Sequence, residues 1–248
     1  KGNRYAKAEI AQLHSKLCDM YKVPKNFLLL TDGSSEGIRT LLGAYSRLPK
    51  VQLVIPELTY GDGEHFAGLY NIPITKVPML ADWKVDVAGL KKAVDAFNGF
   101  SIVYFVNPNN PTSTVTPASE IEPWVKSKPD NTLFIADEAY AEYVSDPKFK
   151  SLGGLINEGL DNVVLLKTFS KLYAMAGMRV GFAVGAPAII KMMKDQVAGE
   201  KLNYPGVTAA LVSLDDEPFQ AYSRASNLES RKILSSCLDK LGVKYLPS

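Results

Sequence analysis

Short apolar runs alternate along this chain with stretches whose apolar residues recur at helical spacing, and this alternation limits the possible folds most strongly. The runs that predict strands lie at residues 27–30, 52–55, 74–77, 102–106, 133–136, 163–166 and 180–184. Helical spacing predicts helices around residues 38–45, 87–97, 121–125, 188–197 and 221–241. Strands that alternate with helices favour an α/β fold, with a mostly parallel central sheet and helices on both faces.

A polar cluster directly follows each of five predicted strands. The clusters lie at residues 31–37, 56–61, 107–112, 137–140 and 167–171. In open α/β sheets, ligands bind beyond the carboxyl ends of the strands. We therefore expect the five clusters to meet at one edge of the sheet and to form a single site there.

Composition excludes several classes of function. The 248 residues carry a net charge of +2 and 46% apolar residues, enough for one large domain or for one domain and part of another. No basic block predicts nucleic-acid binding, and no apolar run approaches the roughly 20 residues of a membrane span. His14 and His65 are isolated, so no metal site is predicted. Cys18 and Cys237 form no disulfide framework, which favours a reducing, cytoplasmic compartment.

Gly33, Ser34 and Ser35 stand at the predicted start of a helix. Backbone N–H groups at a helix start, together with two hydroxyls, can bind an anion. The alternative is an ordinary serine N-cap after a glycine turn.

Asp137 also allows two interpretations, because a carboxylate at a strand end either caps the next turn or partners a buried cation. Asn110, before a proline, by itself favours a turn.

Lys171 is the most informative residue. A lysine with the ordinary pKa of about 10.4 is a poor nucleophile at neutral pH, whereas burial or nearby positive charge can make it a Schiff-base former. Arg179 could supply that charge and also bind a phosphate, with the Thr168 and Ser170 hydroxyls donating to the same group. The alternative is an exposed loop lysine without a chemical role.

These motifs together resemble a known family. Ser170-Lys171, followed by Ala-Gly-Met-Arg-Val-Gly at 176–181, resembles the lysine signature of the class I/II pyridoxal-phosphate-dependent aminotransferases of fold type I. Asn-Asn-Pro-Thr at 109–112, Ala-Asp-Glu-Ala-Tyr at 136–140 and Gly-Ser-Ser-Glu-Gly at 33–37 are similar to the family's other motifs and occur in the same order. The pattern is most similar to the histidinol-phosphate aminotransferase subgroup. The resemblance implies the family's large domain, with its mostly parallel sheet.

The resemblance implies roles around the ring of pyridoxal 5'-phosphate. Lys171 would form an aldimine with the cofactor's aldehyde and later carry the substrate proton. Asp137 would pair with the pyridine nitrogen and keep it protonated. Asn110 and Tyr140 would hydrogen-bond the phenolic oxygen, and Tyr60 would stack on the ring.

The resemblance also implies a phosphate site. The N–H groups of Ser34 and Ser35 would bind the phosphate, and Thr168, Ser170 and Arg179 would complete the site.

Tyr5 matches a family tyrosine that reaches the phosphate of the neighbouring subunit, which implies a homodimer. Two positions depart from the family pattern: Ala6 stands where proline is common, and Ser113 replaces the glycine of Asn-Pro-Thr-Gly.

The expected domains are a cofactor-binding large domain at residues 1–200, and a linker helix with the start of an incomplete C-terminal small domain at 201–248. The family binds the substrate carboxylate through an arginine of that small domain. Arg224 and Arg231 lie in the predicted long helix, and neither fits that arginine's sequence context. We therefore expect the sequence to cover part of a longer chain, with an apolar face of the long helix left partly uncovered.

The predicted function is that of an aminotransferase, which moves an amino group from an amino acid or a histidinol-phosphate-like amine to a 2-oxo acid. Three alternatives within the fold are a decarboxylase, a β-lyase and a racemase. A cofactor-binding fragment with little turnover, or a non-catalytic binding protein, is the alternative of another class. The expected partners are small-molecule substrates and a second copy of the chain, without nucleic acid or membrane.

Overall fold

A computed structural model of the chain describes residues 3–199 and 201–247, and one seven-stranded sheet runs through the part it describes. The strand order is β1-β7-β6-β5-β4-β2-β3. The strands are β1 (Leu28–Thr31), β2 (Val51–Pro56), β3 (Ile74–Val77), β4 (Phe100–Val106), β5 (Thr132–Asp137), β6 (Val163–Thr168) and β7 (Gly181–Gly185). β7 is antiparallel to both of its neighbours and the other pairs are parallel, so the prediction of a mostly parallel sheet is confirmed.

Helices connect the strands. They are α1 (Lys7–Tyr21), α2 (Gly33–Tyr45), α3 (Asp62–Leu69), α4 (Val87–Asp95), α5 (Ala118–Lys126), α6 (Gly153–Asn157), α7 (Pro187–Lys194), α8 (Tyr204–Ser213) and α9 (Glu217–Lys240). No helix of the described residues is both long enough and apolar enough to cross a membrane.

The sheet separates two apolar cores. Along β5, Phe134 and Ala136 belong to one core, whereas Leu133 and Ile135 belong to the other. Successive side chains of a strand point to opposite faces, so a strand buried on both faces reads as a continuous apolar run. This explains why the strands were readable from the sequence, and it confirms that both faces are covered.

Four helices were not predicted from the sequence, namely α1, α3, α6 and α8. α1 buries only Leu13, Leu17 and Cys18, a stripe too narrow to stand out by its spacing. At the start of α8, Pro205 and Gly206 obscure the helical spacing. There, Oδ1 of Asn203 accepts the Gly206 N–H at 2.7 Å, so Asn203 caps the helix start and Pro205 lies in the first turn, where proline is tolerated.

The predicted domain boundary falls at Glu200, which lies outside the described residues, and the division at 200 stays a prediction. Beyond it, α9 runs for 24 residues with none of them buried. Tyr222, Leu228, Ile233 and Leu234 are exposed along it.

Candidate active site

The polar clusters that follow the strands meet around a cavity of about 110 Å³ at the carboxyl ends of the parallel strands. We call it the inner cavity. Ten of the predicted site residues line it: Ser34, Ser35, Tyr60, Asn110, Asp137, Tyr140, Thr168, Ser170, Lys171 and Arg179. Val106, Ala139 and Ala176 complete the wall. Tyr5, the remaining predicted residue, lies elsewhere, and its side chain is 65% exposed.

The start of α2 forms one end of the inner cavity. The helix begins at Gly33, after Asp32 at the N-cap position, so the serine N-cap reading of Ser34 and Ser35 is wrong. Glu36 instead reaches back to accept the Asp32 N–H at 2.8 Å. N–H groups in a first helical turn lack partners within the helix, so those of Ser34 and Ser35 are available to an anion.

Glycine is needed where α2 meets Arg179. Gly33 has a φ of +75°, and a Cβ built there would lie 2.5 Å from Nη2 of Arg179. Arg179 also donates to the Asp32 carbonyl at 3.3 Å and to the Ala176 carbonyl at 2.9 Å. A side chain at position 33 would therefore displace the guanidinium from the helix start.

Two hydroxyls lie beside this guanidinium. The Thr168 hydroxyl donates to Oγ of Ser170 at 2.8 Å, and the Ser170 N–H donates to Oγ1 of Thr168 at 3.1 Å. Nη1 of Arg179 lies 3.5 Å from Oγ of Ser170. The helix start, two hydroxyls and one cation thus converge on one point, which is the chemistry of an anion site.

Asp137 ends β5 and is 2% exposed. Its Oδ2 accepts the Tyr104 hydroxyl at 2.9 Å, and its Oδ1 accepts the Ala139 N–H at 3.2 Å. Burial raises the pKa of Asp137 to about 6, against the opposing effect of these two hydrogen bonds and of the positive charge on Lys167. Its place in the inner cavity wall suits a buried partner for a cation.

A buried polar network lies behind the cavity, and sequence reasoning missed it. Nζ of Lys167 donates to the Glu138 carbonyl at 3.0 Å and pairs with Oε1 of Glu142 at 2.5 Å. The Glu138 carboxylate accepts the Leu152 N–H at 2.8 Å, and burial raises its pKa to about 7. These contacts fix the segment that carries Tyr140. The sequence signal for this network is Lys167, a lysine inside an otherwise apolar strand.

The two adjacent asparagines differ in their partners. Nδ2 of Asn109 donates to the Leu58 carbonyl at 2.9 Å, and its Oδ1 accepts the Thr59 hydroxyl at 2.8 Å. Asn110 lines the inner cavity and makes no hydrogen bond to another described residue. Asn109 is thus committed to holding the loop, and Asn110 is free to bind a ligand.

Lys171 follows β6 in a turn and is half-buried. Its Nζ lies 4.9 Å from the ring centroid of Tyr140, a cation–π contact, and it forms no ion pair with any described residue. Tyr60 lies in the wall of the same cavity, where burial raises the pKa of its hydroxyl. A lysine without a carboxylate partner, held beside an aromatic ring, is available for chemistry.

Ser113, which departs from the family pattern, adopts a φ of +58°. This is the left-handed region that favours glycine, so the serine keeps the turn at a cost in backbone strain.

A second cavity of about 930 Å³ adjoins the inner one and shares Asn110 and Tyr140 with it. We call it the outer cavity. It is lined by residues 81–84, 108–111, 113–115, 140, 143–146, 227, 231, 246 and 247. Arg231 of α9 lines the outer cavity and is half-buried, and its guanidinium makes no ion pair or hydrogen bond to any described residue. Arg224, also on α9, instead donates through Nε to the Glu142 carbonyl at 3.0 Å.

Comparison with known proteins identifies the family. The pattern of aminotransferase class I and II matches residues 1–248. The histidinol-phosphate aminotransferase of Symbiobacterium thermophilum is 31% identical over 98% of this chain, which spans 66% of that protein. A second one, from Legionella pneumophila strain Lens, is 32% identical, and 63% of its length is matched. The chain therefore spans slightly less than two thirds of these curated relatives.

Solved structures support the same family. A putative histidinol-phosphate aminotransferase from Erwinia carotovora atroseptica superposes with a TM-score of 0.97 at 57% identity, covering all of this chain and 71% of that one. The Sinorhizobium meliloti histidinol-phosphate aminotransferase, solved in complex with pyridoxal-5'-phosphate, has a TM-score of 0.85 at 25% identity, over 99% of this chain and 66% of its own. The fold-type-I architecture is confirmed, and the chain belongs to the class I and II aminotransferases.

Proposed function

We propose that this chain binds pyridoxal 5'-phosphate in the inner cavity and carries out amino-group transfer from an amino acid, or a histidinol-phosphate-like amine, to a 2-oxo acid. The observation that carries the proposal is the convergence of three groups in one cavity. They are an anion site at the start of α2, a buried carboxylate at the end of β5, and an amine without a carboxylate partner after β6.

The residues present fit the cofactor at its phosphate end. The N–H groups of Ser34 and Ser35 surround one space together with the Arg179 guanidinium and the Thr168 and Ser170 hydroxyls. This space stays open because residue 33 is a glycine. A dianion held there would have charge-assisted bonds and the positive end of α2.

They also fit at the ring end. Asp137 would accept a hydrogen bond from the pyridine nitrogen and favour its protonated form. Asn110 and Tyr140 would donate to the phenolic oxygen, and Tyr60 would cover a ring face. When bound, the cofactor supplies an electron sink for negative charge at the substrate's α-carbon.

Lys171 has two tasks in this proposal. Its side chain carries the one amine among the described residues that line the inner cavity, so Nζ is the group that would hold the cofactor at its aldehyde carbon, with the aldehyde oxygen lost as water. Once the substrate's amine has displaced it, Nζ would take the proton from the substrate's α-carbon and pass it to the cofactor carbon that had carried the aldehyde. Proton transfer by a positioned side chain contributes about 10²–10⁴-fold to a rate.

The outer cavity would receive the substrate. It opens onto Asn110 and Tyr140, and Arg231 adds a positive charge that an anionic group of the substrate can meet. The names of the relatives make histidinol phosphate one candidate, beside ordinary amino acids.

The proposed active unit is a homodimer in the cytoplasm. Tyr5 is exposed and lies outside the inner cavity of its own subunit, as expected of a side chain that serves the partner's phosphate site. The described Cys18 and Cys237 are both free thiols, which agrees with a reducing compartment.

A single-turnover assay tests the reaction. The purified protein, loaded with the cofactor, is mixed with one amino donor and no acceptor. We expect one equivalent of 2-oxo acid per site and conversion of the cofactor to its amine form, both measured by chromatography. Carbon dioxide without 2-oxo acid would favour a decarboxylase, and cofactor binding without any product would favour a cofactor-binding fragment.

A further inference from the structure

Tyr104 is a fully buried tyrosine in the middle of β4, next to the inner cavity but outside its wall. Its hydroxyl donates to Oδ2 of Asp137 at 2.9 Å. The other carboxylate oxygen is held by the Ala139 N–H. Both oxygens of the proposed partner of the ring nitrogen are therefore fixed by the protein, one by backbone and one by this single hydroxyl.

The position of the Tyr104 ring depends on a glycine in the facing helix. A Cβ built on Gly63 of α3 would lie 2.6 Å from Cδ1 of Tyr104. The helix therefore approaches the ring so closely that only glycine fits there. This packing limits how far the Tyr104 ring can move toward α3.

Tyr104 can act only as a neutral donor. Burial, followed by the nearby charge of Asp137, raises the pKa of its hydroxyl well above the ordinary value. The hydroxyl therefore keeps its proton across the working pH range, and its hydrogen bond is strongest when Asp137 is ionised.

Several other charged or titratable groups face Asp137. The Lys167 ammonium from β6 favours the ionised carboxylate, whereas Asp62 of α3 opposes it. Tyr60, before α3, and Lys171, after β6, lie in the same cavity wall. Burial raises the pKa of the Asp137 carboxyl and so favours its neutral form. The negative charge of Asp137 therefore depends on the few groups that favour the ionised carboxylate.

We propose that Tyr104 is a positioning residue that keeps Asp137 ionised and aims its free lone pairs at the ring nitrogen of the bound cofactor. The inference rests on the proposed cofactor site and extends it to a residue that would not touch the cofactor. Without the hydroxyl, Asp137 would bind a proton more readily and lose the charge that the protonated ring nitrogen requires.

The test compares Tyr104→Phe with Tyr45→Phe. Tyr45 is also buried and stacks on Phe100 in the same core, and its hydroxyl makes no hydrogen bond to a described residue. The first readout is the dissociation constant of pyridoxal 5'-phosphate, titrated by absorbance between pH 5.5 and 8.5. The titration of the cofactor itself affects both proteins equally, so we compare the ratio of the variant's dissociation constant to that of the wild type.

If Tyr104→Phe raises the pKa of Asp137 by one unit, we expect it to weaken cofactor binding about fivefold near pH 6 and much less at pH 8.5. Tyr45→Phe should show a ratio near 1 throughout. In an Asp137→Asn background, Tyr104→Phe should lose its pH-dependent effect, since no carboxyl remains to titrate. A flat ratio for Tyr104→Phe would overturn the inference.

The second readout is unfolding of the protein without cofactor, which separates this inference from the proposed function. Removing the hydroxyl should destabilise the fold more at pH 8, where Asp137 is ionised, than at pH 5, and Tyr45→Phe should not show this difference. If the wild type fails to bind the cofactor, the proposed function fails. An equal loss of stability at both pH values would then overturn the role of Tyr104 as well.

Discussion

The inner and outer cavities are built from different parts of the molecule. The inner cavity is lined by residues at strand ends and tight turns, held by short hydrogen bonds such as those of Asp137 and Thr168. The outer cavity is about eight times larger and takes its wall from loops and from α9, a helix of which no residue is buried. The part that would hold the cofactor is thus set by the sheet itself, and the part that would meet the substrate is not.

The largest expected effect is at Lys171. Lys171→Ala should lower turnover by about 10²–10⁴-fold, because the proton loses its carrier, while the cofactor still binds through the α2 anion site and Asp137. Steady-state kinetics and cofactor titration measure the two effects separately. Lys191→Ala, an exposed lysine on α7, is the control and should change neither. Unchanged turnover in Lys171→Ala would refute the proposed role of the inner cavity.

Gly33→Ala tests the phosphate end of the same cavity. The added Cβ meets Arg179 at a positive φ, so we expect about 1–3 kcal/mol of lost stability and about a tenfold weaker affinity for the cofactor. Chemical denaturation and cofactor titration measure them. In Gly154→Ala, the Cβ meets open space at an ordinary helical position, and this control should be neutral or slightly stabilising. Equal behaviour of the two variants would contradict the close fit at Gly33.

The charge of Asp137 gives a pH prediction for the protein without cofactor. Its folded pKa, about 6, lies above the ordinary 3.8, so the folded state binds the proton more tightly than the unfolded state does. The free energy of unfolding should therefore fall as pH rises from about 4 to 6 and then level off. Glu138, with a pKa of about 7 raised from 4.5, should extend the fall to about pH 7.

Asp137→Asn isolates this contribution. The variant should be more stable than the wild type above pH 6, by about 1–3 kcal/mol, and should lose that advantage near pH 4. Denaturant unfolding at several pH values measures the difference, and a difference independent of pH would contradict the assignment. The comparison would show that the inner cavity keeps a charge that the fold alone does not favour.

Arg231→Gln tests the outer cavity, where the smallest effect is expected. It should raise KM for an anionic amino donor about tenfold and leave cofactor affinity unchanged, because Arg231 lines the outer cavity and not the inner one. Lys232→Gln, the next residue along α9, is outside both cavities and is the control. If Arg231→Gln weakened cofactor binding, the separation of the two cavities would be wrong.

Sequence patterns predicted much of the inner cavity, because its residues directly follow strands and match family motifs. Ten predicted residues do line it, although their roles remain proposals. Tyr104 could not be read in this way, since it lies inside the apolar run Ile-Val-Tyr-Phe-Val. Its relation to Asp137 depends on the register of β4 against β5, which pairs Tyr104 with Ile135 and places all three side chains on one face.

Other features depended on long-range contacts. The distinction between Asn109 and Asn110 appears only in their partners, which come from a loop about 50 residues earlier. The Lys167–Glu142 pair joins a strand to a turn 25 residues before it. The start of α8 was not predicted, because the proline and glycine that usually favour a loop belong here to a capped first turn. Local sequence patterns therefore predict the residues that line a site more readily than the distant residues that fix those side chains in place.

The most direct test of the proposed site is chemical attachment of the cofactor. The protein is loaded with pyridoxal 5'-phosphate, reduced with borohydride and digested, and the modified peptide is sequenced by mass spectrometry. The proposed site predicts one cofactor per chain, attached at Lys171 and absent in Lys171→Ala. Attachment at another lysine, or none at all, would contradict it.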